Sequence, residues 1–467
     1  MIGTLNSFAG VHLIAQSRDE FLEGERVLYA LIAQLRRCLN ATVSVERLPP
    51  EILLRIFEYA TCQGGPQGRR SYLPRSTLKT HVSITTLATL THVCKRWRDI
   101  ALKSSHLWAY TDDRDLDRLD AFLTRSQAAP LFHHCSTAKA SAIDNLLGAH
   151  GHRLRRLDIV CAYNMKLRSL FKSEMPLLEC LTIVSVDEFK VTSDSLMPTL
   201  FRTPTPLRAL ALLNADSWLP ADHFPNLTHL HLSVRFREDE EWMSYLLALL
   251  SHTPALQFVH LAELQTLDEN QRRDWDVVPL RSLHSFRCTS YDVKAALVLL
   301  GLLEMPQDVV VQVYWPWASG AIGPPLLQPL HLQALFAGFT RLEISSDLAG
   351  DPYLLAEGSG SGSVCVHAEY AGRRAEQWMA LLRELFVATG LLTCVTTLVL
   401  RNRAVYAIPD VLCHLPQLTV LEVITKCTMD MDMRRYHVDW HPVCQLWMDL
   451  YAALTGGNGV SPSSLRG

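Results

Sequence analysis

The fold is decided by two stretches, LPPEILLRIFEYA at residues 48–60 and LTHVCKRWRDIALKSSHLW at residues 90–108. In the first, Pro50 suits the first position of a helix, where no backbone donor is needed. Glu51 then places a negative charge at the positive end of the helix dipole. Two adjacent apolar stripes follow at helical spacing: Ile52, Ile56 and Tyr59, and beside them Leu53, Phe57 and Ala60.

The second stretch also has the spacing of a helix with one apolar face. Its apolar residues recur at steps of three and four: Leu87, Leu90, Cys94, Trp97 and Ala101. We expect its solvent side to carry Lys95, Arg96, Arg98 and Asp99. Leu107 and Trp108 then supply a large apolar anchor. Helices this short and this apolar leave surface uncovered, so a partner surface is expected.

Taken together, the two stretches resemble an F-box, the small helical module that docks onto the Skp-type adaptor of cullin-based ubiquitin ligases. The resemblance is to F-box proteins of large fungal families, in which an N-terminal helix precedes the box and a repeat region follows. Residues 61–80 depart from the compact form of the module, because they make a longer connection rich in Gly, Pro and Arg. Two ordinary amphipathic helices of an all-α domain are the alternative interpretation.

The resemblance implies a set of adaptor-contacting residues. By position in the motif they are Leu48, Pro49, Pro50, Glu51, Ile52, Ile56, Phe57, Val93, Cys94, Trp97 and Trp108. Some of them must instead hold the helices together. Trp97, together with Leu53, is expected to have that structural role.

Composition restricts the class of protein. With 48% hydrophobic and 19% charged residues the chain is foldable, and its net charge of −3 gives no reason to expect nucleic acid or an anionic membrane as partner. The 12 cysteines include no CxxC pair, which favours free thiols in a reducing compartment. The N-terminus does not have the pattern of a signal peptide, and the longest apolar run, at 295–303, is too short for a membrane span. We therefore expect a soluble intracellular protein, cytoplasmic and/or nuclear.

Residues 18–40 predict a helix with Leu28, Ile32, Leu35 and Leu39 on one face. Its acidic residues come early and its arginines late, which suits the helix dipole. Packing against the box is the expected use of the apolar face. A coiled-coil partner stays open, although the pattern spans too few heptads to require one.

After Trp108 the sequence predicts a helix at 113–126 and a short strand at 130–135. From about residue 150 onward short apolar segments recur, most of them of the form L-x-x-L-x-[LIV]. The first five begin 20 to 29 residues apart, a period within the leucine-rich-repeat range. The clearest begin at 154, 178, 207, 227 and 256, weaker ones follow at 283, 308, 339 and 363, and the pattern recovers at 395 and 418. Helices that return between strands are expected at 241–254 and 376–390.

These patterns predict an α+β or α/β solenoid: a small all-helical F-box followed by an irregular leucine-rich-repeat-like array of short parallel strands and helices. The expected divisions are an N-terminal helix (1–44), the F-box (45–110), a linker helix and strand (111–150), a substrate-binding array (151–454) and a disordered tail (455–467). An α/β domain without true repeats is the alternative. Two loops are expected to interrupt the array, a Pro- and Trp-rich one at 314–331 and a flexible one at 356–363.

No candidate for catalysis or metal binding withstands scrutiny. His437, His441 and Cys444 have metal-like spacing, but Pro442 breaks the helix that would align them. The adjacent residues of HHC at 133–135 cannot all point to one side of a strand. GGPQGRRS at 64–71 lacks the Gly-Lys-Ser end of a phosphate-binding loop. In SGSGS the glycines and serines do not have the spacing of the Gly-x-Ser-x-Gly motif of a nucleophile elbow. We therefore expect no enzyme activity, no cofactor and no metal.

By the resemblance, the protein is expected to be the substrate-recognition subunit of an SCF-type ubiquitin ligase. Its partners would be a Skp-type adaptor, through it a cullin, and an unknown target protein. Trp315 and Trp317 are weak candidates for target contacts, and capping of the array edge is an equal alternative for both. An interaction scaffold not coupled to ubiquitination, a repeat protein with a decayed box, and an enzyme built on the repeats stay open. The sequence does not name the target or say whether its recognition requires phosphorylation.

Overall fold

A computed structural model describes residues 18–61, 84–135, 140–161, 165–166, 174–185, 191–192, 197–216, 218–235, 242–264, 275–290, 293–315, 338–346, 352–358, 362–368, 393–401 and 415–424. These residues fall into two compact units. The first is helical and holds 18–61, 84–110 and 121–129. The second contains the remaining described residues and is built on a large sheet.

Both stretches that resemble an F-box fold as helices, as the sequence predicts. The helical unit contains α1 (Arg18–Thr42), a 3-10 turn (Ser44–Arg47), α2 (Pro50–Thr61), α3 (Ile84–Val93), α4 (Lys95–Lys103), a second 3-10 turn (Ser105–Trp108) and the C-terminal part of α5 (Leu116–Ser126).

The core of this unit is a single apolar cluster. Its buried members are Leu53, Phe57, Leu87, Leu90, Ala101, Leu107, Trp108 and Phe122. The rings of Trp108 and Phe122 meet edge to face at 5.0 Å, and the indole Nε1 of Trp108 donates a 2.8 Å hydrogen bond to the carbonyl of Ala101. Removing a buried ring of this kind typically costs about 3–5 kcal/mol of unfolding free energy. The cluster therefore fixes how α2, α3 and α4 pack together.

The sheet unit alternates strands with a few helices and turns. Its helices and turns are the N-terminal part of α5, α6 (Ala140–His150), a 3-10 turn (Gly151–Arg153), α7 (Trp242–Ser251) and α8 (Val293–Gly301). The first strands are β1 (Tyr110–Asp112), β2 (Leu131–Cys135), β3 (Leu154–Cys161), β4 (Met165–Lys166), β5 (Cys180–Ser185), β6 (Val191–Thr192), β7 (Ala209–Asp216), β8 (His229–Arg235) and β9 (Phe258–Leu264). They are followed by β10 (Val278–Pro279), β11 (Ser285–Ser290), β12 (Leu303–Glu304), β13 (Val310–Trp315), β14 (Phe339–Ser346), β15 (Pro352–Gly358), β16 (Ser363–Ala368), β17 (Thr397–Arg401) and β18 (Val420–Ile424).

One 14-stranded sheet runs in the order β1-β2-β3-β5-β7-β8-β9-β11-β13-β16-β15-β14-β17-β18. Adjacent strands from β2 to β16 are parallel and follow the chain. The expected strands at 130–135 and 363–368 and the helix at 241–254 are therefore present. The helix expected at 376–390 lies outside the described residues.

The leucine pattern has a direct structural explanation. The second leucine of each segment and its equivalents stand in register across the sheet, and all are buried: Leu157, Leu181, Leu210, Leu230, Val259, Phe286, Val311 and Val364. No single strand can cover such a row, so neighbouring strands must stack. From β3 to β13 the order and register are those that an array of repeats predicts, whereas the order β13-β16-β15-β14-β17 departs from it. The repeat interpretation itself stays a prediction.

The expectation of an all-parallel set of strands is wrong at β15. This strand is antiparallel to both β14 and β16. The expected flexible loop at 356–363 is also wrong at its ends, because Ala356–Gly358 belong to β15 and Ser363 begins β16. Gly362 stands against the backbone: a Cβ there would approach the carbonyl oxygen of Gln307 to 2.1 Å. Glycine is needed at this position for a close packing contact.

Candidate adaptor-binding surface

Helix α2 begins where the sequence predicts. The carbonyl of Pro49 accepts hydrogen bonds from the amides of Ile52 and Leu53, each at 3.1 Å. Pro49, Pro50 and Glu51 are exposed at this end of the helix. A proline-preceded helix start of this kind is rigid, because the proline ring fixes φ.

Beyond this start, α2 divides into a buried and an exposed stripe. Leu53 and Phe57 are fully buried, whereas Ile52 and Ile56 are 47% and 38% exposed and Tyr59 is 61% exposed. The exposed stripe is apolar although it faces solvent. Contiguous apolar surface of this type is typical of a protein interface.

Two of the residues expected to contact the adaptor lie inside the unit. Phe57 and Trp108 belong to the buried cluster, and the guanidinium of Arg125 covers the Trp108 ring at 4.5 Å. Leu48 and Trp97 are half-buried and pack against the same cluster, with the Trp97 ring 4.9 Å from that of Phe57. In this fold the four side chains hold the exposed stripe in place.

Val93 and Cys94 mark the junction of α3 and α4. Val93 is 51% exposed, and the thiol of Cys94 caps α4 by accepting a hydrogen bond from the amide of Trp97. Cys94 Sγ also lies 3.3 Å from Glu46 Oε1. Burial, together with the nearby Glu46 carboxylate, raises the pKa of the thiol, so it stays protonated and donates to Glu46.

Arg96 has a role that the sequence did not indicate. Its guanidinium donates to the carbonyl of Leu48 at 2.6 Å and also to the carbonyl of Glu46, and it lies 3.4 Å from the Glu46 carboxylate. It therefore ties the segment before α2 to α4. The sequence placed Arg96 on the solvent side because its partners lie about 50 residues away in the chain. No local spacing reveals such a contact.

A cleft of about 670 Å³ lies beside these contacts. Its walls come from the end of α1, the start of α2 and the outer side of α4, including Arg37, Glu51 and Lys103. The cleft and the proline-led start of α2 therefore adjoin one another, and Ile52 and Ile56 are not among the residues that line the cleft. Together they form a surface of mixed apolar and charged character.

A second candidate surface lies on the sheet unit. Side chains opposite the buried leucines form rows across β8, β9, β11 and β13: His229 and Phe258 in one row, His231, His260, Arg287 and Gln312 in the next. The rings stack face to face, at 4.6 Å for His229 and Phe258 and at 4.2 Å for His231 and His260. We call this set of six residues the ring face.

The imidazoles of the ring face are held neutral. Burial lowers the pKa of His231 to about 4, with a further contribution from His260, and burial also lowers the pKa values of His229 and His260. Arg287 and Gln312 are exposed at the side of the stack. The ring face is thus a flat aromatic surface with one fixed positive charge.

The remaining candidate residues do not form a site among the described residues. Trp315 ends β13, and Trp317, His437, His441 and Cys444 lie outside the described part of the chain. His133 and Cys135 are buried on one side of β2, and His134 is half-buried on the other. Within the described ranges no group of three or more His, Cys, Asp or Glu side chains could hold a metal ion. No described helix is long and apolar enough to cross a membrane.

Comparison with protein families identifies the helical region. Residues 45–113 match the family model described as F-box-like. A search of curated proteins finds no match to the chain. The protein therefore contains an F-box-like domain that spans α2, α3 and α4. F-box domains generally bind Skp-type adaptors, which indicates an adaptor-binding role in SCF-type ubiquitin ligases.

Proposed function

We propose that the protein is the substrate-recognition subunit of an SCF-type ubiquitin ligase. The observation that carries this proposal is the exposed stripe of Ile52 and Ile56 on a well-packed F-box-like domain. Two β-branched apolar side chains that face solvent on a rigid helix are suited to insertion into a partner. The adaptor would contact this stripe, the Pro49–Glu51 helix start and Val93.

In this proposal Phe57, Trp97, Trp108 and Leu48 act from within, by holding the contacting side chains in position. Cys94 and Arg96 act in the same way at the junction of α3 and α4. The chain is not itself an enzyme: the complex would hold a target, in the cytoplasm and/or nucleus, close to a ubiquitin-charged enzyme on the cullin. Proximity raises the local concentration of the target, which is the contribution that a receptor can make.

The target would bind the sheet unit at the ring face. Rigid aromatic side chains lose little conformational entropy on binding, and they are frequent in the centres of protein interfaces. The ring face offers stacked rings beside Arg287, which is why we assign it in preference to the strand end at Trp315. The two candidate surfaces lie on separate units.

The test is purification of the tagged full chain from cells with its partners identified. We expect both the Skp-type adaptor and a cullin with the wild type, and neither with Ile52→Asp/Ile56→Asp. The matched control, Leu177→Asp/Val420→Asp, introduces the same charges at apolar positions of the sheet unit that are 46% and 42% exposed, and should retain both partners. Adaptor without cullin would contradict the ligase role and favour a scaffold not coupled to ubiquitination.

A further inference from the structure

Helix α1 carries an apolar stripe that the fold leaves uncovered. The 25-residue helix has no buried residue. Phe21, Leu28, Ile32, Leu35 and Leu39 are between 44% and 60% exposed. They recur at steps of seven, four, three and four, which places them along one side of the helix. Among the described residues of the helical unit, the expected packing of this stripe against the box is therefore absent.

The opposite side of α1 is polar and belongs to solvent. Arg26 and Glu23 form an ion pair there in which both side chains remain more than 60% exposed. Ala30 and Gln34 lie on the same side and are also exposed. Leu22, Val27, Tyr29 and Leu31 are also exposed and extend the apolar surface beside the stripe. An apolar surface of this width needs a partner. Helix α1 lies outside the F-box-like region at 45–113, and the α1 residues that line the cleft of the adaptor surface, Arg37, Asn40 and Ala41, do not belong to the stripe.

The stripe is complementary to itself when a second helix runs in the opposite direction. In an antiparallel pair centred on Ala30, Phe21 of one copy meets Leu39 of the other, and Leu28 meets Ile32. Four of the six layers then pair apolar with apolar side chains, and in the other two Leu35 lies against the aliphatic stem of Glu25. An interface related by a two-fold axis requires this kind of self-complementarity.

The distribution of charge along α1 also favours an antiparallel pair. Four carboxylates and two guanidinium groups lie in the first half of α1, and two guanidinium groups without a carboxylate lie in the second half. An antiparallel pair therefore sets a half with net negative charge against a half with net positive charge, and it also opposes the helix dipoles. In a parallel pair, by contrast, Glu25 would face its own equivalent within the stripe.

The size of the stripe is sufficient for association. Side chains of these types would bury roughly 600 Å² per helix, and about 1,200 Å² in total lies at the lower bound of stable protein interfaces. At 1.5 Å per residue, the 25-residue α1 is about 37 Å long, which allows these six layers, four of them apolar on both helices. We propose that α1 pairs with α1 of a second copy of this chain as an antiparallel two-helix coiled coil. The pairing would join two F-box-like domains in one assembly.

The first test is the mass of the purified full chain in solution at micromolar concentration, by light scattering. We expect twice the chain mass of 52.6 kDa for the wild type and the single-chain mass for Leu28→Asp/Leu35→Asp. The matched control, Ala30→Asp/Gln34→Asp, adds two carboxylates to the polar side of the same helix and should remain a dimer. A monomeric wild type, or a dimer that survives the Leu28→Asp/Leu35→Asp change, overturns the proposal.

The second test fixes the direction of the pair. Gly24 and the exposed Cys38 flank the stripe on the same side, and they become neighbours only across an antiparallel pair. A side chain added at Gly24 meets no atom within 4 Å, so Gly24→Cys is compatible with the fold. Under mild oxidation with excess glutathione disulfide as oxidant, Gly24→Cys should form an intermolecular disulfide that Gly24→Cys/Cys38→Ser does not form. Cross-linking of wild-type Cys38 to its own equivalent would instead indicate a parallel pair and overturn the antiparallel arrangement.

Discussion

The guanidinium of Arg96 donates a 2.6 Å hydrogen bond to the backbone carbonyl of Leu48, two residues before α2 begins. This contact joins the two stretches of sequence that define the F-box-like domain. It also sets the direction in which α2 leaves the preceding turn, and with it the position of Ile52 and Ile56. The adaptor surface therefore depends on a side chain that need not touch the adaptor.

Replacing Arg96 should weaken both stability and adaptor binding. Arg96→Ala leaves the carbonyls of Glu46 and Leu48 without their donor, and such a loss typically costs about 1–3 kcal/mol of unfolding free energy. Arg96→Lys should be nearly as damaging, since a single ammonium group cannot reproduce the forked contact. Urea denaturation of the full chain, followed by tryptophan fluorescence, measures the effect. The exposed neighbour provides the control: if Lys95→Ala is as destabilising as Arg96→Ala, the assigned role of Arg96 is wrong.

Gly362 should not tolerate any side chain. Gly362→Ala would force a Cβ to within 2.1 Å of the Gln307 carbonyl oxygen, so β16 or the turn before β13 must shift. We expect a loss of more than about 1 kcal/mol of unfolding free energy, as for other overpacked sites. Gly148→Ala is the control, because this helical glycine has open space around it and alanine is the better helix former. Thermal unfolding should thus shift downward for Gly362→Ala and slightly upward for Gly148→Ala, and equal shifts would contradict this packing.

Stability should fall as the pH is lowered from about 6.5 towards 4. Burial lowers the pKa values of His133 and His231 from 6.5 to about 4 in the folded state, so between these values the unfolded chain binds more protons. At 1.36 kcal/mol for each pKa unit, the full effect is about 3 kcal/mol for each group. Unfolding free energies measured across this range should show the decline. His231→Phe keeps a ring to stack on His260 and should reduce the slope, and an unchanged slope would show that His231 is protonated in the folded protein.

Substitutions in the ring face should weaken target binding and leave adaptor binding intact. Phe258→Ala/Arg287→Ala removes an exposed ring and the fixed positive charge of the face, and anchors of this type typically contribute about 2 kcal/mol or more each. We expect a purified complex of this variant to lose the target while it retains the Skp-type adaptor. Quantitative mass spectrometry of proteins bound to the wild type and the variant measures both. An unchanged set of partners would remove the ring face as the target site.

Local patterns in the sequence were sufficient for the parts of the fold that depend on local spacing. The step pattern predicted the two apolar stripes of α2, although not that the stripe of Leu53 and Phe57 is the buried one. The leucine segments predicted β3, β5, β7, β8 and β9. Contacts between distant residues could not be read in this way, and the bond from Arg96 to Leu48 is one of them. The reversed direction of β15 was missed for another reason: AEGSGSGS has the composition of a loop, although Ala356–Gly358 belong to β15 and Ser363 begins β16. Gly362 is required for a steric reason, its close packing against Gln307.

The same contrast between local spacing and contacts of distant residues applies to the candidate surfaces. The exposed stripe of Ile52, Ile56 and Tyr59 was predicted by its spacing, but the burial of Phe57 and Trp108 depends on how three helices meet. The ring face was not predicted at all. His229 and His231 alternate with buried leucines in LTHLHL, and their stacking on Phe258 and His260 appears only once β8 and β9 are placed in register.

Adaptor binding through the exposed stripe of α2 is the central claim, and titration calorimetry of the full chain with a purified Skp-type adaptor tests it most directly. The wild type should bind, and Ile52→Asp/Ile56→Asp should bind at least about 100-fold more weakly, as expected for two desolvated anchors. Its circular dichroism should match the wild type, because both side chains are exposed and the core is unchanged. Leu177→Asp/Val420→Asp should bind like the wild type. Equal affinity of the wild type and the Ile52→Asp/Ile56→Asp variant, or a wild type that does not bind the adaptor, would contradict the account.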